Sequence, residues 1–186
     1  MTAEMPRPNR SLRTSLRQAA LTVPAILVLG WISGRIGNSG YANIWFARLD
    51  KPAIMPPGWA FGLAWSILYI MMGFALAFIL TARESKGRGW AIVLFLTQLV
   101  LNLAWSPVFF ALHRIMLAFG LIVAIFLWAG ATTLVFWHIR RVAALLMLPY
   151  LVWLLFAGYL NWRIHELNPW GPALVTTTGN TQIIVQ

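Results

Sequence analysis

Trp45–Gly73 reads WFARLDKPAIMPPGWAFGLAWSILYIMMG. A polar segment punctuated by Pro52, Pro56 and Pro57 runs straight into an apolar helix carrying Trp59, Trp65 and Tyr69. A loop that merely joined two membrane helices would need neither the prolines nor the aromatic residues after them. A stiff cover over an aromatic cavity uses both. Pro57 suits the first turn of the helix, where a missing N–H costs nothing.

The rest of the chain is as apolar as this helix. Of 186 residues, 60% are hydrophobic and only 10% are charged, whereas a soluble domain carries about 25% charged residues. Such a chain cannot cover itself with polar surface. Five apolar runs approach or reach the roughly 20 residues that a spanning helix needs: Ala19–Ser33, Gly58–Leu80, Trp90–Leu112, Ile115–Trp137 and Val142–Trp162. The first is the shortest and reaches full length by including Gly34 to Gly37 and snorkelling Arg35. No small-x-small site follows it, so a retained helix rather than a cleaved signal is expected. The runs are continuous rather than alternating, which disfavours a β-barrel. The expected fold is an all-α integral membrane protein, a bundle of five transmembrane helices whose long, ordered first loop covers a ligand pocket.

Charge orients the bundle. Arg7, Arg10, Arg13, Arg17, Arg83, Lys86, Arg88, Arg140 and Arg141 fall on one side, and Arg35, Arg48, Lys51, Arg114 and Arg163 on the other. The positive-inside rule then expects a cytoplasmic N-terminus, with the first loop and the C-terminus outside. The bacterial cell membrane is the expected location, the outer membrane the alternative. The net charge of +10 is spread between the apolar runs, as suits anionic headgroups. It is not gathered into the basic patch that nucleic acid requires. The expected organisation is a basic tail over 1–18, the helical domain over 19–165 and a polar, mobile tail over 166–186. Loops two to four are short, whereas the first runs from Arg35 to Pro57, and a long ordered loop is usually functional.

Little conventional chemistry is legible. The chain has no cysteine, which excludes disulfides and thiolate ligands or nucleophiles. Glu4, Asp50, Glu84 and Glu166 are its acids, and none lies inside an apolar run. His113, His138 and His165 sit at run ends, where solvation is commoner than metal or haem ligation. No paired carboxylates, metal cluster or Ser/His/Asp arrangement is expected.

The informative polar groups lie within the membrane. Gln98, Asn102 and Trp105 are spaced to share a face of the third helix. Amides in hydrocarbon indicate function by default, the alternative being an interhelical hydrogen bond of about 0.6 kcal/mol. Tyr150, Trp153, Ala157 and Asn161 recur at helical spacing on the fifth helix. Ala157 and Gly158 leave either floor space for a flat ligand or room for close packing. Phe61, Trp65, Tyr69 and Met72 share a face of the second. Trp65, Trp105 and Trp153 lie deep in their runs, and a buried indole seeks a partner for its N–H. An apolar pocket with few polar groups is the usual form of a ligand site. Pro107 is expected to kink the third helix after Asn102 and to free carbonyls that a neighbour must satisfy. Gly30-x-x-x-Gly34 and Gly58-x-x-x-Gly62 match a common helix-packing pattern.

Together, Trp45, Lys51-Pro52, Pro56-Pro57, Trp65, Asn102, Trp105-Ser106, Pro149-Tyr150, Trp153 and Phe156-Ala157, set in five apolar helices, resemble the TspO/MBR family. These are the tryptophan-rich sensory proteins of bacteria and the mitochondrial translocator protein, the peripheral-type benzodiazepine receptor. The resemblance covers roughly Ala19 to Trp162. It implies binding of protoporphyrin IX and haem, of benzodiazepine-type drugs and, in animal members, of sterol. No cofactor is implied as obligatory; the tetrapyrrole is a ligand. The resemblance assigns polar ligand contacts to Trp65 and Asn102, pocket walls to Tyr69, Trp153 and Ala157, and loop and rim to Trp45, Phe46 and Pro56. Tyr69 stands where some members have Phe. Leu155, Tyr159 and Arg163 only partly match the family's sterol motif. A homodimer is implied, with interfaces that differ between members. The leading expectation is a sensor or regulator, with Lys51 and Arg48 meeting the propionates. The alternatives are a light-dependent porphyrin-degrading enzyme, with Trp65 and Trp153 as redox partners, and a passive transporter of porphyrin or sterol.

Overall fold

The computed structural model describes residues 9–171, with side chains from residue 13. The remaining tail residues, including Glu4, Arg7 and the Thr-rich segment expected to be mobile, lie outside the described residues. The elements are α1 (Asn9–Gly37), α2 (Ile44–Arg48), α3 (Gly58–Thr81), α4 (Arg88–Ser106) with a π turn at Pro107–Ala111, α5 (Ile115–Ile139) and α6 (Arg141–Leu167). All five expected spans are helices long and apolar enough to cross a membrane. α1 starts ten residues before the apolar run, so the helix passes through the boundary expected at residue 18. No proline or glycine interrupts Asn9–Gln18, and Leu, Arg and Gln propagate a helix readily.

The spanning helices pack as a ring in the order α1–α3–α6–α5–α4, closed by α1 against α4 and its π turn. The outer surface is apolar: Leu21, Trp31, Trp90, Val100, Leu127, Leu134 and Val152 are all exposed. Only a lipid solvent makes that arrangement favourable, because there large apolar side chains need no cover.

Two cores fill the ring. One, built from Met72, Phe95, Ile125, Phe136, Met147 and Tyr150, occupies the half away from the first loop. The other joins Trp45, Phe46 and Leu49 of the first loop to Phe109, Phe110, Ile115 and Ile164 at the helix ends. Close approach of α1 to α3 depends on Gly73, where a Cβ would meet the Val23 backbone at 2.7 Å. Thr22 Oγ1 donates to Gly73 O across the same contact at 2.7 Å.

Pro107 acts otherwise than as a simple kink. The chain widens into a π turn, with Leu112 N–H donating to Pro107 O at 3.0 Å. Proline has no N–H for the carbonyl four residues back, which is Leu103 O. The hydroxyl of Ser33, reaching over from α1, donates to that oxygen instead. Ser33→Ala is therefore expected to strand a buried acceptor and cost about 1–3 kcal/mol. Pro107→Ala in the same chain supplies the missing N–H. Thermal melting of the single and double variants in nanodiscs checks this, and a double variant no more stable than Ser33→Ala argues against it.

Candidate functional site

Between the two cores the ring encloses a cavity of about 400 Å³, within the 300–1,000 Å³ usual for small-molecule sites. α3 contributes Phe61, Trp65 and Tyr69, spaced four residues apart and therefore on one face. α4 contributes Asn102, Trp105 and Ser106; α6 contributes Trp153, Ala157 and Asn161. The first loop roofs it with Tyr41, Phe46 and Met55. The exposed members of the lining, including Trp31, Tyr41, Gly58, Gly62 and Ser66, gather on α1, the loop and the start of α3. The opening therefore lies on that side. No Asp, Glu, Lys, Arg or His lines the cavity among the described residues.

Asn102 organises the polar wall. Tyr69 Oη donates to Asn102 Oδ1 at 3.0 Å, and Asn102 Nδ2 donates to Tyr150 Oη at 3.0 Å. Three helices are tied through one amide, so the hydroxyl that distinguishes Tyr69 from Phe is used structurally as well as lining the cavity. The aromatic wall is continuous. Trp65 lies 5.2 Å from Tyr69, 6.4 Å from Tyr150 and 6.2 Å edge-on from Trp153. Trp105 stacks on Phe109 at 5.2 Å. Trp105 Nε1, Trp153 Nε1, Ser106 Oγ and Asn161 Oδ1 are buried without a hydrogen-bond partner, and all four residues line the cavity. Buried groups of this kind are costly to leave unpaired.

Of the residues singled out in the sequence, Phe46, Trp65, Tyr69, Asn102, Trp105, Trp153 and Ala157 come together around the cavity. Trp45 and Pro56 do not line it. The Trp45 indole is turned into the loop-end core, donating from Nε1 to Gly171 O at 2.8 Å and meeting Phe109 edge-on at 5.5 Å. Pro56 O accepts from Tyr41 Oη at 2.7 Å beside the opening. Gln98 is fully buried one turn below Asn102, away from the lining. Met72 likewise belongs to the packed core. Leu155 and Tyr159 are exposed on the outer face of α6, and Arg163 pairs with Glu166. Gly30 and Gly34, read as a helix-packing stripe, also line the cavity, and Gly30 packs directly against the Tyr69 ring of α3, where a Cβ would have no room. Tyr41 and Ser106 escaped the reading of single faces, because Tyr41 sits in a loop without periodicity and a serine gives no hydropathy signal.

The roof is anchored at several points. Asn43 caps α2 by accepting from Phe46 N–H at 3.0 Å, and its Nδ2 donates to Phe110 O at 3.2 Å. Asn168, past the end of α6, pairs with the Asp50 backbone through both amide atoms, each at 2.8 Å. The Lys51 ammonium donates to Leu49 O at 2.8 Å and Ala47 O at 3.2 Å, satisfying carbonyls at the end of α2, and lies 4.8 Å from the Phe46 ring centre. It is thus engaged within the loop rather than held out toward the cavity. Burial lowers its pKa, partly offset by Asp50.

His113 turns the chain into α5 with φ +56 and its ring 4.4 Å from that of Trp45. Burial lowers its pKa from the ordinary 6.5, so the unfolded chain takes up this proton first. Its contribution to stability is therefore fully present above pH about 6.5 and declines as pH falls below that value. His113→Asn, which also tolerates positive φ, is expected to flatten that decline. Melting curves across pH 5 to 8 test it; equal slopes for the two proteins would contradict it.

The chain matches the TspO/MBR family profile over residues 21–167. It is 38% identical to protein CrtK of Rhodobacter capsulatus over 140 residues, 74% of this chain and 86% of that protein. To tryptophan-rich protein TspO of Chlorobaculum tepidum it is 38% identical over 157 residues, 81% and 95% of the two chains. To the human translocator protein it is 35% identical over 143 residues, 75% and 84%.

Proposed function

The chain belongs to the TspO/MBR family, and from that membership and its uncharged aromatic cavity we propose a membrane sensor or regulator that binds a tetrapyrrole. The observation that carries the reading is the aromatic wall of Trp65, Tyr69 and Trp153 facing a roofed cavity, with Tyr150 packed behind it in the core. Indoles offer a flat π-system stacking faces, each pair adding about 0.5–1.5 kcal/mol beyond area burial. With no cation in the lining, the ionised propionates stay at the opening. Arg35 and Arg48 are exposed; Arg48 keeps the role expected of it, and Arg35 takes the one expected of Lys51. The reading includes a cytoplasmic N-terminus with the roof outside, and acceptance of flat aromatic drugs in the same cavity. Titration of the protein in nanodiscs with protoporphyrin IX, followed by quenching of indole fluorescence, tests it. Trp65→Phe and Trp153→Phe should each weaken binding severalfold. Unchanged quenching in both disposes of the pocket assignment.

The same aromatic wall supports a second reading, a light-dependent oxidation of bound porphyrin by oxygen with Trp65 and Trp153 as redox partners. Illumination of the complex under air is then expected to yield a stoichiometric product that free porphyrin does not give and that Trp65→Phe loses.

A further inference from the structure

The seam between α1 and α3 is closed at two levels. Away from the loop, Gly73 packs on the Val23 backbone, and nearer the loop Gly30 packs on the Tyr69 ring. At the loop end Tyr41 lies against Gly58, where a Cβ would sit 3.0 Å from Tyr41 Cδ2. The Tyr41 hydroxyl donates to Pro56 O at 2.7 Å, and its ring meets Phe46 edge-on at 5.4 Å.

Between these closures the seam is unfilled. Gly34 continues the Gly30 face of α1, and Gly62 continues the Gly58 face of α3. Both line the cavity. A Cβ on Gly62 would meet nothing within 4 Å, and one on Gly34 would approach Ser39 Oγ at 3.1 Å and no atom of α3. Gly62, Ser66 and Trp31 are exposed members of the cavity lining. The height of this gap decides what it faces. α3 has 24 residues, which at 1.5 Å per residue is about 36 Å, a little more than the roughly 30 Å of hydrocarbon it crosses. Gly62 and Ser66 lie one and two turns inside its loop end, about 6 and 12 Å down. Exposed Val28, Leu63 and Ile67 flank them, so the gap opens on lipid tails. Its rim makes no polar demand. Ser66 Oγ donates to Gly62 O at 2.7 Å, and Ser39 Oγ donates to Gly34 O at 3.0 Å. An apolar body can pass these glycines without stranding a backbone group in hydrocarbon.

We propose that this gap is a lateral entrance through which a flat amphiphile dissolved in the bilayer reaches the cavity, and that Gly62 sets its width. The inference rests on the cavity being a ligand site and deepens that reading, since it assigns the ligand to molecules that partition into the membrane before they bind.

The chain has no cysteine, so Ala157→Cys places a single thiol on the cavity wall. In nanodiscs the full chain is labelled with a pyrene-bearing maleimide, which dissolves in the bilayer, or with a sulfonated maleimide, which stays in water. The pyrene reagent is expected to react at least about ten-fold faster. Adding Gly62→Leu is expected to slow the pyrene reagent about ten-fold and the sulfonated one less than about twofold. Leu63→Phe, one residue away on the lipid-facing side, should change neither rate. Gly62→Leu should melt no lower than its parent, because a side chain there enters open space and leucine favours the helix more than glycine does. The proposal is overturned by a lower melting point, by a pyrene rate that survives Gly62→Leu, by equal slowing of both reagents, by faster or equal labelling from water, or by no labelling at all. Protoporphyrin IX titrated in parallel separates the two readings. Its failure to bind, with the lipid route intact, removes the tetrapyrrole proposal and leaves the entrance standing. Binding together with a pyrene rate indifferent to Gly62→Leu does the reverse.

Discussion

Asn102→Leu is expected to reduce tetrapyrrole affinity by about five- to 150-fold, corresponding to about 1–3 kcal/mol of lost polar contact, and to destabilise the empty protein as well. Both effects come from one amide. Its Oδ1 receives the Tyr69 hydroxyl and its Nδ2 serves Tyr150, whose hydroxyl has no access to solvent. Leucine fills similar volume but leaves Tyr150 Oη buried without its donor, and an unpaired buried group costs more than the bond itself contributed. The two effects can be separated. Adding Tyr150→Phe removes the stranded oxygen, so the double variant should recover much of the lost melting temperature while its affinity stays low. If binding recovered together with stability, Asn102 would be a structural tie and not a ligand contact.

Trp45→Ala is expected to show the largest loss of stability of any single change in the roof, about 3–5 kcal/mol. The indole is nearly fully buried, touches Phe109 and His113, and holds Gly171 O by its N–H. Its removal empties the centre of the loop-end core and leaves the loop tied to the chain beyond α6 through Asn168 and Asp50. Trp45→Phe keeps most of the ring and loses chiefly the hydrogen bond, a change of about 1 kcal/mol. The roof faces the cavity through Tyr41, Phe46 and Met55, so any effect of Trp45 on binding is expected to be indirect. Loosening the roof should speed dissociation more than it alters association. Melting curves and stopped-flow release of protoporphyrin from the two variants provide the measurements. A Trp45→Ala protein as stable as Trp45→Phe would show that the loop is not held by this side chain.

These two residues also mark where reading the chain succeeds and where it stops. Asn102 is conspicuous because an amide amid Leu, Val and Trp has to be explained by something nearby, and spacing puts it on the face of Trp105. Its partners Tyr69 and Tyr150 are 33 and 48 residues away, and periodicity says nothing about contacts over such separations. Trp45 is equally conspicuous, but the resemblance aligned it with the pocket rim, whereas packing turned it the other way. A loop has no repeating face, so the direction of a loop side chain is set by what surrounds it. Lys51 follows the same logic. Its position in the loop suggested a propionate partner, but its ammonium donates to carbonyls at the end of α2.

Span number, span length, the polar and aromatic residues inside the spans and the need for a second donor at Leu103 O were all determined by the chain itself. Each depends on local quantities: hydropathy over some twenty residues, a face at helical spacing, and a proline lacking an N–H. The tertiary structure alone decided that Ser33 is that donor, that Gly30 meets Tyr69 of α3 at the edge of a cavity, and that Asn161 keeps an oxygen without a partner. Those outcomes depend on which helices become neighbours in the ring and at what height, and on whether a buried polar atom finds a partner there. Packing between distant segments fixes both, and no window of sequence contains it.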